Sequence, residues 1–161
     1  MSKVLVVYDS RTGNTEEMAR AVTDGAREAG AEAEVKKASD SSLEDLEGAD
    51  AMVLGSPTHF GTMSENMKKL ISESVRVRGR LESKIGAAFT SSGAVSGGNE
   101  TTLLSMLQAM LIHGMIIVGD PIKVGGHYGV VAIGKPNKEA LEACKALGIR
   151  IGELAAKVAA K

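Results

Sequence analysis

The chain has 161 residues, 43% of them hydrophobic, with a formal net charge of −1 and a mean hydropathy near zero. That is the size and balance of one globular domain, read over residues 1–161, and it excludes a charged surface built to attract nucleic acid. A single cysteine, Cys144, excludes an intrachain disulfide and any multi-cysteine metal or iron–sulfur site. No basic leader with an apolar core is visible, and cytoplasmic residence is the expectation.

In chain order, a short apolar run over Lys3–Tyr8 reads as the first strand. It ends in Asp9-Ser10-Arg11-Thr12-Gly13-Asn14-Thr15, and a helix follows at once, from about Asn14 to Ala29, with Met18, Ala19, Val22 and Ala26 at helical spacing. The first N–H groups of a helix lack partners, and its dipole favours an anion there. Ser10, Thr12, Asn14 and Thr15 add neutral donors around that point, and Arg11 adds the one formal charge. An ordinary capped helix is the plainer reading; four hydroxyl or amide residues directly after the first strand favour a phosphate site. The loop lacks both the Gly-Lys-Ser/Thr ending of nucleoside-triphosphate loops and the G-x-G-x-x-G spacing of dinucleotide sites, which points to a terminal monophosphate.

A charged, alternating second strand over Ala31–Lys37 reads as an edge, and Ser41 and Ser42 cap a short helix ending near Gly48. The third strand is Ala51–Ser56, followed by a helix over Ser64–Val75. A fourth strand over Ile85–Ser91 precedes a helix from Glu100 to Ile112. The apolar stretch Leu103–Val118 is broken by Ser105, Gln108, His113 and Gly114, so it reads as helix, turn and strand, not as a membrane span. A fifth strand is split between Met115–Val118 and Gly129–Ile133, and the last helix covers Lys138–Ala160 with an expected weak point at Gly148 or Gly152. Cys144 falls within that helix as a buried small residue. Alternating strands and helices predict an α/β three-layer sandwich with a five-stranded parallel sheet of order 2-1-3-4-5, whose ligands sit at the carboxyl ends of the strands, between strands 1 and 3.

Three further loops carry candidate chemistry. Pro57-Thr58-His59-Phe60-Gly61 offers a rigid start, a flat apolar side chain and a permissive glycine. Thr90-Ser91-Ser92-Gly93-Ala94-Val95-Ser96-Gly97-Gly98-Asn99 is either a flexible connection or a loop whose glycines let backbone approach a planar ligand, and the strand order, which sets it beside the first two loops, favours the latter. Val124–Gly129 contains Tyr128 and reads equally as a plain glycine-rich hairpin. His113 stands at a helix C-terminus, where a cap is the ordinary role and catalysis the alternative.

Ser10-x-Thr12-Gly13-Asn14-Thr15, preceded by Val6-Val7-Tyr8, resembles the flavodoxin phosphate signature. Ser56-Pro57-Thr58-x-Phe60-Gly61-x-Met63-Ser64, the segment Ser91–Gly98, His113-Gly114-Met115 and Gly125-Gly126-x-Tyr128-Gly129 resemble the tryptophan-repressor-binding-protein-type NAD(P)H:quinone oxidoreductases. The similarity runs from residue 3 to about residue 159. The chain departs from that family in having no tryptophan, a shorter Ser72–Leu81 segment and no long insertion after the second strand.

The resemblance implies FMN, with Ser10 to Thr15 at its phosphate, the Pro57–Gly61 segment along the ring and Ser91–Gly97 at its pyrimidine edge. It implies NAD(P)H as electron donor, a hydride passed through N5 of FMN, and a quinone or similar small aromatic acceptor met by His113 and Tyr128. It also implies a homodimer or homotetramer. The alternative is a flavodoxin carrying single electrons to a redox protein partner, although the net charge of −1 lacks the acidic bias of such carriers. A receiver-type switch on the same fold is disfavoured, since Ser56-Pro57 stands where its acceptor Asp belongs.

Overall fold

A computed structural model describes residues 1–160. Its strands are β1 (Lys3–Tyr8), β2 (Glu32–Lys37), β3 (Ala51–Pro57), β4 (Ile85–Ser92), β5 (Ile116–Ile117) and β6 (Val130–Ile133). Its α-helices are α1 (Asn14–Glu28), α2 (Leu43–Gly48), α3 (Glu65–Glu73), α4 (Asn99–Ile112) and α5 (Lys138–Ala159). All strand pairs are parallel and the order is β2-β1-β3-β4, with β5 and β6 both along the far side of β4. The two short pieces together stand as the fifth strand of the 2-1-3-4-5 order.

Strand alternation builds the layers. On β1, Val4, Val6 and Tyr8 enter a core shared with α1 and α5, while Leu5 and Val7 enter one shared with α2, α3 and α4. On β4, Ile85, Ala87 and Phe89 face the first core and Ala88 the second. The strands between are apolar on both faces, as a covered parallel sheet requires. Glu32 and Glu34 of β2 are exposed at the other edge.

The last helix corrects one expectation. It runs unbroken from Lys138 to Ala159, and its glycines mark no weak point. A Cβ on Gly148 would overlap the Val22 carbonyl, and one on Gly152 would stand 3.0 Å from the Ala26 carbonyl oxygen. The glycines are where α5 and α1 meet backbone to backbone. Cys144 is fully buried in this layer, and burial pushes its thiol up to about 12, so it stays protonated and apolar.

Candidate functional site

The carboxyl ends of β1, β3 and β4 are adjacent: Tyr8 lies opposite Gly55, Ser56 opposite Thr90 and Pro57 opposite Ser91. The loops leaving these ends therefore meet at one edge of the sheet. Three helices start with a side-chain cap, from Ser42, Ser64 and Asn137. The other two, α1 and α4, start at a left-handed glycine with no side-chain cap, Gly13 at φ 94° and Gly98 at φ 99°. Both lie at this edge. Their first-turn N–H groups are thus left open to a ligand, in contrast to the plain capped helix.

At α1, the Gly13 N–H donates to Ser10 Oγ (3.1 Å), which curls the loop over the helix start. Arg11, Thr12 and Gly13 are exposed, Ser10 and Asn14 half-buried. Thr15 differs: it is buried, and its hydroxyl is paired with Ser91 Oγ at 2.8 Å. Of the nearby carboxylates, Asp9 accepts from Asn66 (3.3 Å) and Glu16 from Arg20 (2.7 Å).

The end of β3 is held by hydroxyls. Thr90 donates to the Ser56 carbonyl (2.7 Å), so in its 2.9 Å pair with Thr58 the Thr58 hydroxyl is the donor. The Thr58 N–H donates to the Ser91 carbonyl (2.8 Å). His59 and Thr62 then exchange backbone bonds of 3.0 and 3.1 Å around a two-residue tip, with Phe60 at φ 50° and Gly61 at φ 78°. Two positive φ values are the mark of a type I′ turn. An aromatic residue in that region is strained, and this one is also fully exposed. The tip rests on α4, since a Cβ on Gly98 would come 2.5 Å from Gly61 Cα.

The loop from Ser92 to Gly98 is open, with Val95 exposed and Ser96 at φ 63°. Its one internal frame is at Ala94, whose carbonyl accepts from Ser92 Oγ (3.0 Å) and from the Gly97 N–H (3.2 Å). Asn99, directly behind it, is buried with Oδ1 unpartnered. Thr90, Gly98 and Asn99 bound the glycine-rich loop, with no individual site role assigned to them from the sequence. Nothing in the local pattern separates Gly98 from Gly97, and Thr90 reads as an ordinary strand residue.

One chain does not bring His113 or Tyr128 to these loops. His113 closes α4, next to Gly114, whose carbonyl accepts from Ser83 just ahead of β4. It therefore lies at the amino end of the sheet, because α4 runs back along its full height. Tyr128 precedes the Val130–Phe89 pairing, so it stands about five residues, roughly 16 Å, below the upper end of β4. The reason is that β5 spans only two residues, and its loop leaves the sheet edge early. This edge borders a cleft of about 560 Å³ lined in part by Asp120, His127 and Tyr128.

His113 Nε2 is 2.7 Å from Ser74 Oγ, and that hydroxyl donates to the Ile71 carbonyl (2.6 Å). Nε2 is therefore the protonated nitrogen of a neutral ring, and Nδ1 is a buried acceptor without a partner. Burial, then the charge of Arg78, lowers its pKa below the ordinary value. Below that ordinary value the unfolded chain takes up a proton that the folded chain refuses, so His113 costs stability as pH falls toward its folded pKa. Urea unfolding between pH 8 and pH 5 is expected to show a smaller loss of stability in His113→Gln than in the parent; parallel curves would refute this.

The flavodoxin family model matches residues 6–112. An NAD(P)H dehydrogenase (quinone) of Archaeoglobus fulgidus is 40% identical, with 98% of this chain and all of that protein covered. A flavodoxin of Aquifex aeolicus is 41% identical over 95% of this chain and 86% of its own length. Among solved structures, a WrbA-like flavodoxin of Agrobacterium tumefaciens superposes with a TM-score of 0.84 at 26% identity, covering 98% of this chain and 99% of that one. An archaeal flavodoxin gives 0.81 at 32% identity, over 96% and 99%. With its phosphate-type loop at the β1–β3 switch and a family match over most of its length, the chain belongs to the flavodoxin family.

Proposed function

We propose that this chain is an FMN-dependent NAD(P)H:quinone oxidoreductase. The observation that carries the reading is the uncapped α1 N-terminus beside two further ligand loops, in a chain whose relatives include NAD(P)H dehydrogenases (quinone). The residues present fit FMN. Ser10, Thr12, Asn14 and the open first-turn N–H groups form a neutral donor nest for a phosphate, Arg11 adds charge, and the Asp9 and Glu16 carboxylates are held by other partners.

Pro57, Thr58, His59, Phe60 and Gly61 run along the ring, with Phe60 shielding it from water. The Ser91–Gly97 backbone meets the pyrimidine edge, and Thr15 ties the two halves of the site through Ser91. Bound there, FMN supplies two-electron chemistry between the nicotinamide donor and a quinone or similar small aromatic acceptor. The chain's own part is to orient the ring, keep one face accessible and exclude water from it.

His113 and Tyr128 enter this reading through assembly. Leu111, Ile112, Ile116, Ile122 and Ile133 are exposed along or beside the free β5–β6 edge, an apolar surface suited to a second copy. A homodimer or homotetramer using this edge carries His113 and Tyr128 toward a neighbour's flavin, where the Tyr128 hydroxyl meets an acceptor oxygen and the His113 ring, its Nε2 held by Ser74, flanks the acceptor.

The test is anaerobic stopped-flow mixing of the FMN-loaded protein with NADH and with NADPH, alongside its mass by light scattering. Bleaching of the oxidised flavin at the turnover rate, in an oligomer, is expected. A flavin that bleaches with dithionite but with neither nicotinamide rejects the reductase and leaves the one-electron carrier. A monomer with full quinone turnover rejects the assembly.

A further inference from the structure

Asp120 lies in the excursion between β5 and β6, outside every loop assigned above. Its carboxylate is buried, with a side-chain exposure of 3%, yet among the described residues no basic side chain neutralises it at close range. The nearest, His127, has Nδ1 at 3.6 Å and is largely exposed. Asp120 instead accepts two backbone N–H groups, from Gly126 (3.1 Å) and from His127 (2.8 Å), one on each oxygen.

The stem of the loop is fastened separately, by Arg150 of α5, which donates to the Gly119 and Asp120 carbonyls (3.0 and 3.2 Å). The turn is tight enough that a Cβ on Gly125, at φ 136°, would strike the His127 ring at 2.5 Å. A buried carboxylate satisfied by consecutive N–H groups six and seven residues ahead fixes the backbone immediately before Tyr128. The Tyr128 hydroxyl has no hydrogen-bonded partner among the described residues to orient it.

We propose that Asp120 is a positioning residue: it locks the Gly125–His127 turn so that Tyr128 leaves the sheet edge in one fixed direction. The inference rests on the reading of Tyr128 as an acceptor-binding group. Loss of the carboxylate frees two backbone N–H groups, loosens the turn and lets the phenol wander, while the FMN loops at the upper sheet edge are untouched.

The test uses the FMN-loaded protein with NADH and p-benzoquinone, and amide hydrogen exchange in the same samples. Asp120→Ala is expected to speed exchange at Gly126 and His127 at least about tenfold. KM for the quinone is expected to rise about fivefold, with kcat and the flavin spectrum unchanged. Asp120→Asn, which retains one acceptor oxygen, falls between and serves if the alanine variant folds poorly.

Unaltered exchange at both amides overturns the proposal whatever the kinetics. Faster exchange with an unaltered KM overturns it as well, and Tyr128→Phe separates the causes. A raised KM in that variant keeps the Tyr128 reading and dismisses Asp120; an unchanged KM dismisses Tyr128 and, with it, the proposal.

Discussion

Thr12→Asp is expected to weaken FMN about a thousandfold while leaving riboflavin binding unchanged and the FMN-free protein slightly more stable. Thr12 is exposed in the loop ahead of α1, whose first turn has no side-chain cap. A carboxylate there repels a phosphate about 4 Å away by about 4 kcal/mol at an effective dielectric near 20, which is about three orders of magnitude in affinity. Thr12→Ala removes one charge-assisted bond and costs about ten- to a hundredfold.

The same aspartate complements the helix dipole and stabilises the empty protein by about 0.5 kcal/mol. Affinity and stability thus move in opposite directions, which a misfolded variant cannot reproduce. Titration of FMN and riboflavin by flavin fluorescence, with thermal melts of the FMN-free protein, reads all three effects. An FMN affinity within threefold of the parent would remove the phosphate from this loop.

The parts of the site legible in the sequence are those written locally. Val4–Tyr8 and Ile85–Phe89 are built of apolar and small residues on both faces, so strand and burial follow from the same residues. Ser10–Thr15 and Pro57–Gly61 carry their chemistry in consecutive positions, and the parallel order then brings them together. What was not legible depends on how far an element runs. The two-residue length of β5 decides that Tyr128 stands below the upper edge, and no residue in Gly119–Gly129 states that length. His113 is displaced by the direction of α4, which starts at the site and ends a sheet-height away. Phe60 was legible as an exposed ring, but its left-handed backbone was not, since only the His59–Thr62 pairing imposes it. The glycines of α5 read as helix breakers because their partner surface, on α1, lies more than a hundred residues away in sequence.

Those glycines give the second large effect, and its sign opposes helix propensity. In an exposed helix, Gly→Ala stabilises by about 0.5–1 kcal/mol. Gly148→Ala is instead expected to destabilise by about 3 kcal/mol, because its Cβ would overlap the Val22 carbonyl and stand 2.9 Å from the Ala26 amide nitrogen. Backbone cannot rotate aside as a side chain can, so α1 and α5 must part. The cost spreads along the seam, because Gly25 approaches the Lys145 carbonyl and Gly152 approaches the Ala29 Cβ. For a chain of this size the loss corresponds to a fall in Tm of roughly 6–12 °C. Gly48→Ala, at the end of α2 with nothing near the added carbon, is the internal comparison and is expected to change stability by less than about 1 kcal/mol. Urea unfolding of the two variants decides the matter. A Gly148→Ala protein as stable as its parent would mean that the helices tolerate separation, and that the close backbone contact of α1 with α5 does not hold the layer beneath the phosphate loop in place.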